Sequence, residues 1–203
     1  FAPTRPVRSL FATQFCEAII GSPQLLEELE ESGRMFAQED GAGRRWSRDH
    51  GYRGYTSYAS LGDLPNRDPA FADLKRLLDK EVKKFAAASH FDLGKPLRMD
   101  SLWVNILKPA GMHSGHIHPH SVVSGTFYVC VPEGSGALKL EDPRLSMLMN
   151  APGRDCDAPE YLQPFVYAEP AVGSIFLWES WLRHEVMPNM GKKERISISF
   201  NYS

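Results

Sequence analysis

Four of the chain's seven histidines, His113, His116, His118 and His120, fall within residues 109–129. Imidazole is the commonest protein ligand for a transition metal at neutral pH. Alternate residues of a strand share a face, so His116 and His118 can offer two nitrogens to one ion. The apolar run at 122–131 reads as a strand that would hold the pair. A polar surface loop with an accidental run of histidines explains the same spacing, so the rest of the chain has to decide.

The end of the chain supplies further groups. Residues 182–187 and 195–202 read as two strands joined by Pro188-Asn-Met-Gly-Lys-Lys-Glu194. A symmetric hairpin about that turn would put His184 opposite Arg195, with both side chains on one face. The closing strand alternates cleanly: Arg195, Ser197, Ser199 and Asn201 on one side, Ile196, Ile198, Phe200 and Tyr202 on the other. A half-buried strand with its polar side in water gives that pattern too. An arginine two residues before a serine is also suited to a carboxylate, because the guanidinium fork gives two charge-assisted hydrogen bonds and the hydroxyl a third.

His116-x-His118, the distant His184 and Arg195-x-Ser197 together resemble the Fe(II)/2-oxoglutarate-dependent dioxygenases. Trp103-Val-Asn105, His116-Ile-His-Pro-His-Ser121, Ser124-Gly-Thr-Phe-Tyr128, Asp142-Pro-Arg144, Pro170-Ala-Val-Gly173 and Trp181-Leu-Arg-His184 are similar to an uncharacterised branch of 2-oxoglutarate/iron oxygenases. The resemblance covers residues 99–202. It implies an α+β fold, a double-stranded β-helix or jelly roll with N-terminal helices packed outside. It implies Fe(II) held by His116 and His184, with His118 standing where the family at large has Asp or Glu. Arg195, helped by Ser197, would bind the distal carboxylate of the cosubstrate 2-oxoglutarate, with Tyr128 and Asn105 as further partners. The implied reaction hydroxylates a small-molecule or protein substrate while 2-oxoglutarate is decarboxylated to succinate. Asp142 is an alternative third ligand, and His113 and His120 read as bystanders or partners of the ligands. Two other readings stand beside this one: a cupin-like metalloprotein that does not use 2-oxoglutarate, and a non-catalytic metal-binding barrel.

The elements that must position these residues divide the chain in two. Residues 1–95 read as helical and loop support and 96–203 as the jelly-roll core of one domain. Near the start, Phe15 to Ile20 reads as an edge strand or lead-in. Ser22-Pro23 caps a helix with a weak stripe of Leu25, Leu29 and Phe36. Residues 40–67 mix glycine, arginine and aromatics without helical period; they read as a long loop with one short strand, a lid or substrate wall rather than an RNA contact. Asp68-Pro69 opens a second helix whose stripe, Phe71, Leu74, Leu78, Val82 and Phe85, is continuous. From residue 99 onward strands are expected at 99–107, 122–131, 137–140, 164–168, 174–178, 182–187 and 195–202. A mobile loop is expected at 143–163.

Composition narrows the function classes. The chain has 203 residues, 42% of them hydrophobic and 24% charged, which suits one soluble domain. A net charge of -2 argues against a general nucleic-acid binder. No apolar run is long enough to span a bilayer, and residues 1–6 lack a signal-type apolar core. Three cysteines far apart argue against a disulfide framework and for a reducing cytoplasm, with Cys130 a packed residue. Oligomerisation is left open.

Overall fold

A computed structural model describes residues 7–203; the opening stretch 1–6, read above for a signal, lies outside them. Among the described residues ten strands, all antiparallel to their neighbours, form two facing sheets. The first is β1 (Phe15–Ile19), β8 (Ser174–Glu179), β5 (Val123–Cys130), β10 (Arg195–Tyr202), β3 (Met99–Leu107) and β2 (Gly54–Thr56), in that order. The second is β4 (His113–His116), β9 (His184–Val186), β6 (Leu138–Glu141) and β7 (Phe165–Ala168). The helices α1 (Pro23–Glu39), α2 (Gly41–Asp49), α3 (Leu64–Arg67) and α4 (Pro69–Ala88) precede β3. This is the expected α+β jelly roll, with β1 on the edge beside β8.

Each expected strand is present, some with ends shifted by a residue or two. The core lies in two layers. One packs the α4 stripe, Phe71, Leu74, Leu78, Val82 and Phe85, with Leu25 and Leu29 of α1 against Val104, Phe127, Ile196, Ile198 and Phe200 of the large sheet. The other, between the sheets, includes Leu138, Leu140, Phe176, Trp178 and Val186. Gly125 faces Phe200 across the ladder, and the ring of Phe200 occupies the space a Cβ would need. Cys130 is partly buried against the first layer, as expected, and Cys16, Cys130 and Cys156 are free thiols.

Two expectations are corrected. Residues 41–49 are helical, not loop. Asp40 caps α2 by accepting from the Gly43 amide at 2.9 Å, and its other oxygen accepts from Tyr55. This local cap outweighs the cost of Gly41 and Gly43. Residues 182–187 and 195–202 are not a hairpin either. β9 pairs with β4 and β6, whereas β10 pairs with β3 and β5, so His184 faces His116 rather than Arg195. The connection crosses between sheets because Asn189, fully buried, is tied to both strands' surroundings. Its side chain donates to Leu107 O and Lys193 O, and its amide to Gly111 O. Among the described residues no helix is long and apolar enough to cross a membrane.

Candidate metal centre and anion pocket

The inner face of the large sheet is built in rows by its register. Ser197 sits opposite Asn105 on one side and Tyr128 on the other, and the next row is Trp103, Ser199 and Thr126. Facing these rows, β4 and β9 pair His116 directly with His184. His118 lies just past β4 and is anchored by its amide donating to Ser180 O at 3.0 Å. A cavity open at its mouth lies between the sheets; Trp103, His113, His116, His118, Tyr128, Trp178, His184, Arg195 and Ser197 line it.

Three imidazoles converge there. One ring nitrogen each of His116, His118 and His184 lies within 4.8 Å of the others, and Nε2 of His118 is 3.3 Å from Nε2 of His184. Nδ1 of His116 is 2.7 Å from Ser114 O, and Nδ1 of His184 is 2.9 Å from Leu182 O. A carbonyl can only accept, so each Nδ1 carries the proton and each Nε2 presents a lone pair to the cavity. Burial, then the neighbouring His116, pulls His184 down to about 3 and His118 down to about 4, so both rings are neutral at pH 7. Neutral imidazoles at this spacing are a donor set that fits one divalent transition metal.

Asp142 is not part of this cluster. Its carboxylate accepts from the backbone amide, Nε and Nη2 of Arg144 at 2.8–3.0 Å, which holds its pKa below the ordinary value. His120 is exposed in a turn with φ of 79°. His113 stands apart from the three but lines the same cavity. Its Nε2 is 2.8 Å from Tyr52 Oη, and burial, then Arg195, pulls it down to about 3.

The far end of the cavity holds Arg195. Its Nη1 donates to Gly136 O at 2.9 Å, and its Nε, fully buried, has no partner. Among the described residues no carboxylate pairs with it. Burial lowers its pKa, as expected for a cation held out of water. An unpaired buried guanidinium N–H costs free energy until an acceptor arrives. Tyr128 faces Arg195, whose guanidinium lies 5.9 Å from the ring centroid, and burial pushes the Tyr128 phenol up to about 12. Asn105, in contrast, is already engaged. Its Oδ1 accepts from Thr56 at 2.9 Å and Tyr52 at 3.3 Å, and its Nδ2 donates to Ser199 at 3.1 Å.

Sequence reasoning missed Tyr52 and Thr56. Both come from the 40–67 stretch, where β2 pairs with β3 and brings them onto Asn105 and His113. The Gly-Tyr-Arg-Gly-Tyr-Thr run was the available signal: a short β-prone segment between glycines. The stretch supports the cavity from behind, through His113 and Asn105, and supplies none of the side chains that line it.

A jelly roll with a three-imidazole cluster and an unpaired buried arginine in one cavity defines a non-haem metalloenzyme architecture. The comparisons give the class a family. Residues 101–201 match the model of the family described as "Putative 2OG-Fe(II) oxygenase", and the chain belongs to that family. No curated protein matches the sequence. Among solved structures, a prolyl-4-hydroxylase from Pseudomonas putida is similar at 16% identity and a TM-score of 0.62, covering 94% of this chain and 92% of its own. The non-heme alpha ketoglutarate dependent carbocyclase SnoK from nogalamycin biosynthesis is similar at 14% identity and 0.66, covering 94% and 79%. HygX from Streptomyces hygroscopicus, solved with nickel and 2-oxoglutarate, is similar at 13% identity and 0.58, covering 94% and 82%. At these identities the structural likenesses establish the fold.

Proposed function

We propose that the protein is an iron(II)- and 2-oxoglutarate-dependent dioxygenase that hydroxylates a second substrate, small molecule or protein, while 2-oxoglutarate is decarboxylated to succinate. The observation that carries this reading is the pairing, in one cavity, of three converging imidazoles with a buried guanidinium whose Nε lacks an acceptor.

His116, His118 and His184 would hold the iron through their Nε2 atoms, the Nδ1 contacts to Ser114 and Leu182 fixing the orientation of two of the rings. When bound, the iron supplies the redox chemistry with O2, and the protein supplies position and exclusion of water. Arg195 would take the distal carboxylate. The Gly136 carbonyl anchors Nη1 and leaves Nε for the ligand, and Ser197 and Tyr128, flanking it on the same face, add hydroxyl contacts. A carboxylate there pairs the buried cation and satisfies the orphaned donor together. Asn105 would act at one remove, holding Ser199 and Tyr52 in place. Leu138, Val186 and Trp178 line the remaining wall and keep it apolar. His118 in place of a carboxylate leaves the centre one positive charge richer, which favours an anionic cosubstrate.

A cupin-like activity without 2-oxoglutarate would leave Arg195 with no task. A cytoplasmic location fits the three free thiols. The test is succinate formation from 2-oxoglutarate by iron-loaded protein, with direct titration of 2-oxoglutarate binding. Binding and succinate are expected; neither appearing would defeat the reading.

A further inference from the structure

From the rim of the cavity, aromatic rings run in contact from a proposed iron ligand to solvent. His118 stands 6.0 Å from Trp103, centroid to centroid, and Trp103 stands 5.2 Å edge-on from Tyr58. Tyr58 lies 6.3 Å from Trp46, which stacks on His50 at 4.2 Å with an interplanar angle of 15°. Trp103 is 8% exposed and lines the cavity, whereas Tyr58 is 60% exposed. A core would bury such rings, and a plain surface patch would not reach a metal ligand. This strip does both, with tyrosine, whose oxidation releases a proton, at the wet end. The proposed cosubstrate contacts leave the strip unused.

We infer that Trp103 and Tyr58 form an electron relay that discharges the iron centre when 2-oxoglutarate is consumed with no second substrate in place. The inference rests on the oxygenase reading above. In such a turnover O2 and 2-oxoglutarate yield succinate, CO2 and two unspent oxidising equivalents at the centre. Each is discharged by one electron drawn from Trp103 and replaced from Tyr58, which loses its phenolic proton to water. A one-electron reductant in solution then restores Tyr58, which regains a proton. Two such passages, with two protons taken up at the centre, convert the unspent oxygen atom to water. The reductant meets Tyr58 at the surface and never enters the cavity.

Ferrocyanide is the probe, because it donates single electrons and is too large and too highly charged for the cavity. Iron-loaded protein is given 2-oxoglutarate and O2 alone, and ferricyanide, succinate, the electron paramagnetic resonance spectrum and the mass of the Trp103 peptide are followed. Wild type is expected to oxidise two ferrocyanide ions per succinate and, without ferrocyanide, to show a tyrosyl signal. Tyr58→Phe is expected to lose that signal, slow ferrocyanide oxidation several-fold, keep succinate formation and accumulate oxygenated Trp103. Tyr58→Trp is expected to restore ferrocyanide oxidation. Equal ferrocyanide rates in wild type and Tyr58→Phe, or a tyrosyl signal that survives the substitution, would overturn the relay. Absence of succinate from wild type would strike the oxygenase reading instead. A parallel arm with hydrogen peroxide as oxidant, which bypasses 2-oxoglutarate, then decides the relay by the same comparison.

Discussion

The large sheet has two faces made by the same strands. On β10, Ile196, Ile198, Phe200 and Tyr202 meet the helices, while Arg195, Ser197, Ser199 and Asn201 face the second sheet. On β3, Val104 and Ile106 meet the helices, and Trp103 and Asn105 turn the other way. Both faces are buried, yet one is nearly all apolar and the other is rich in hydroxyls, amides and one guanidinium. Burial stabilises the first face directly, at roughly 25 cal/mol for each Å² of apolar surface removed from water. On the second, every buried polar atom needs a partner. Most have one: Asn105 bonds Ser199, Ser199 meets Thr126, and Ser124 donates to Asn201. Two inner donors stay unpaired, Arg195 Nε and Trp178 Nε1. The proposed cosubstrate site lies where this face leaves a buried cation without an acceptor.

Substitutions on the two faces should therefore separate ligand binding from stability. The largest effect is expected from His184→Ala, which removes one of the three proposed ligands and should reduce bound iron from about one per chain to below about a tenth. Elemental analysis of protein purified without chelator or affinity tag checks this. Next is Arg195→Met, which should weaken 2-oxoglutarate binding by about a hundredfold or more while leaving iron content unchanged. The same change should leave the midpoint of chemical unfolding equal or raised, because it removes an unpaired buried charge. A large loss of stability would mean that Arg195 is structural. On the opposite face, Leu78→Ala should cost about 2–5 kcal/mol, read by chemical denaturation. The folded fraction should bind iron and 2-oxoglutarate as wild type does.

The last effect is a pH dependence of the metal-free protein. His113, His118 and His184 stand at about 3 to 4 in the fold, below the ordinary 6.5. Between those values the unfolded chain binds protons that the folded chain does not, so their contribution is full above pH 6.5 and is lost as pH falls from there towards 3. Each such proton contributes a slope of about 1.4 kcal/mol per pH unit. Replacing His113 by Phe should make the stability–pH curve shallower by one proton. An unchanged slope would show that His113 is charged in the fold.

Both faces of the large sheet read from sequence where one element carries them. Periodicity exposes both: the α4 stripe at Phe71 to Phe85 and the alternation along β10 each lie within one element, where spacing and geometry are locked together. The histidine pair 116 and 118 shows for the same reason. What does not show is anything set by the pairing of distant elements. A local hairpin is the simplest arrangement that spacing suggests for His184 and Arg195. The actual register places the two residues in opposite sheets, because Asn189 anchors a crossing that no local pattern reveals. They still share a cavity, since the faces of a sandwich meet in its centre. Tyr52 and Thr56 were hidden because their partners, His113 and Asn105, lie 61 and 49 residues away in sequence. The helical state of Gly41–Asp49 was hidden by its glycines, whose poor propensity is offset by one side-chain cap at Asp40.

The most direct test of the central claim is an anaerobic crystal structure with Fe(II) and 2-oxoglutarate, phased to show the iron by its anomalous signal. The expected result is one iron bound by Nε2 of His116, His118 and His184, with the distal carboxylate of 2-oxoglutarate on Arg195 and Ser197. Iron bound elsewhere, a carboxylate or water in place of His118, or 2-oxoglutarate absent from Arg195 would contradict it.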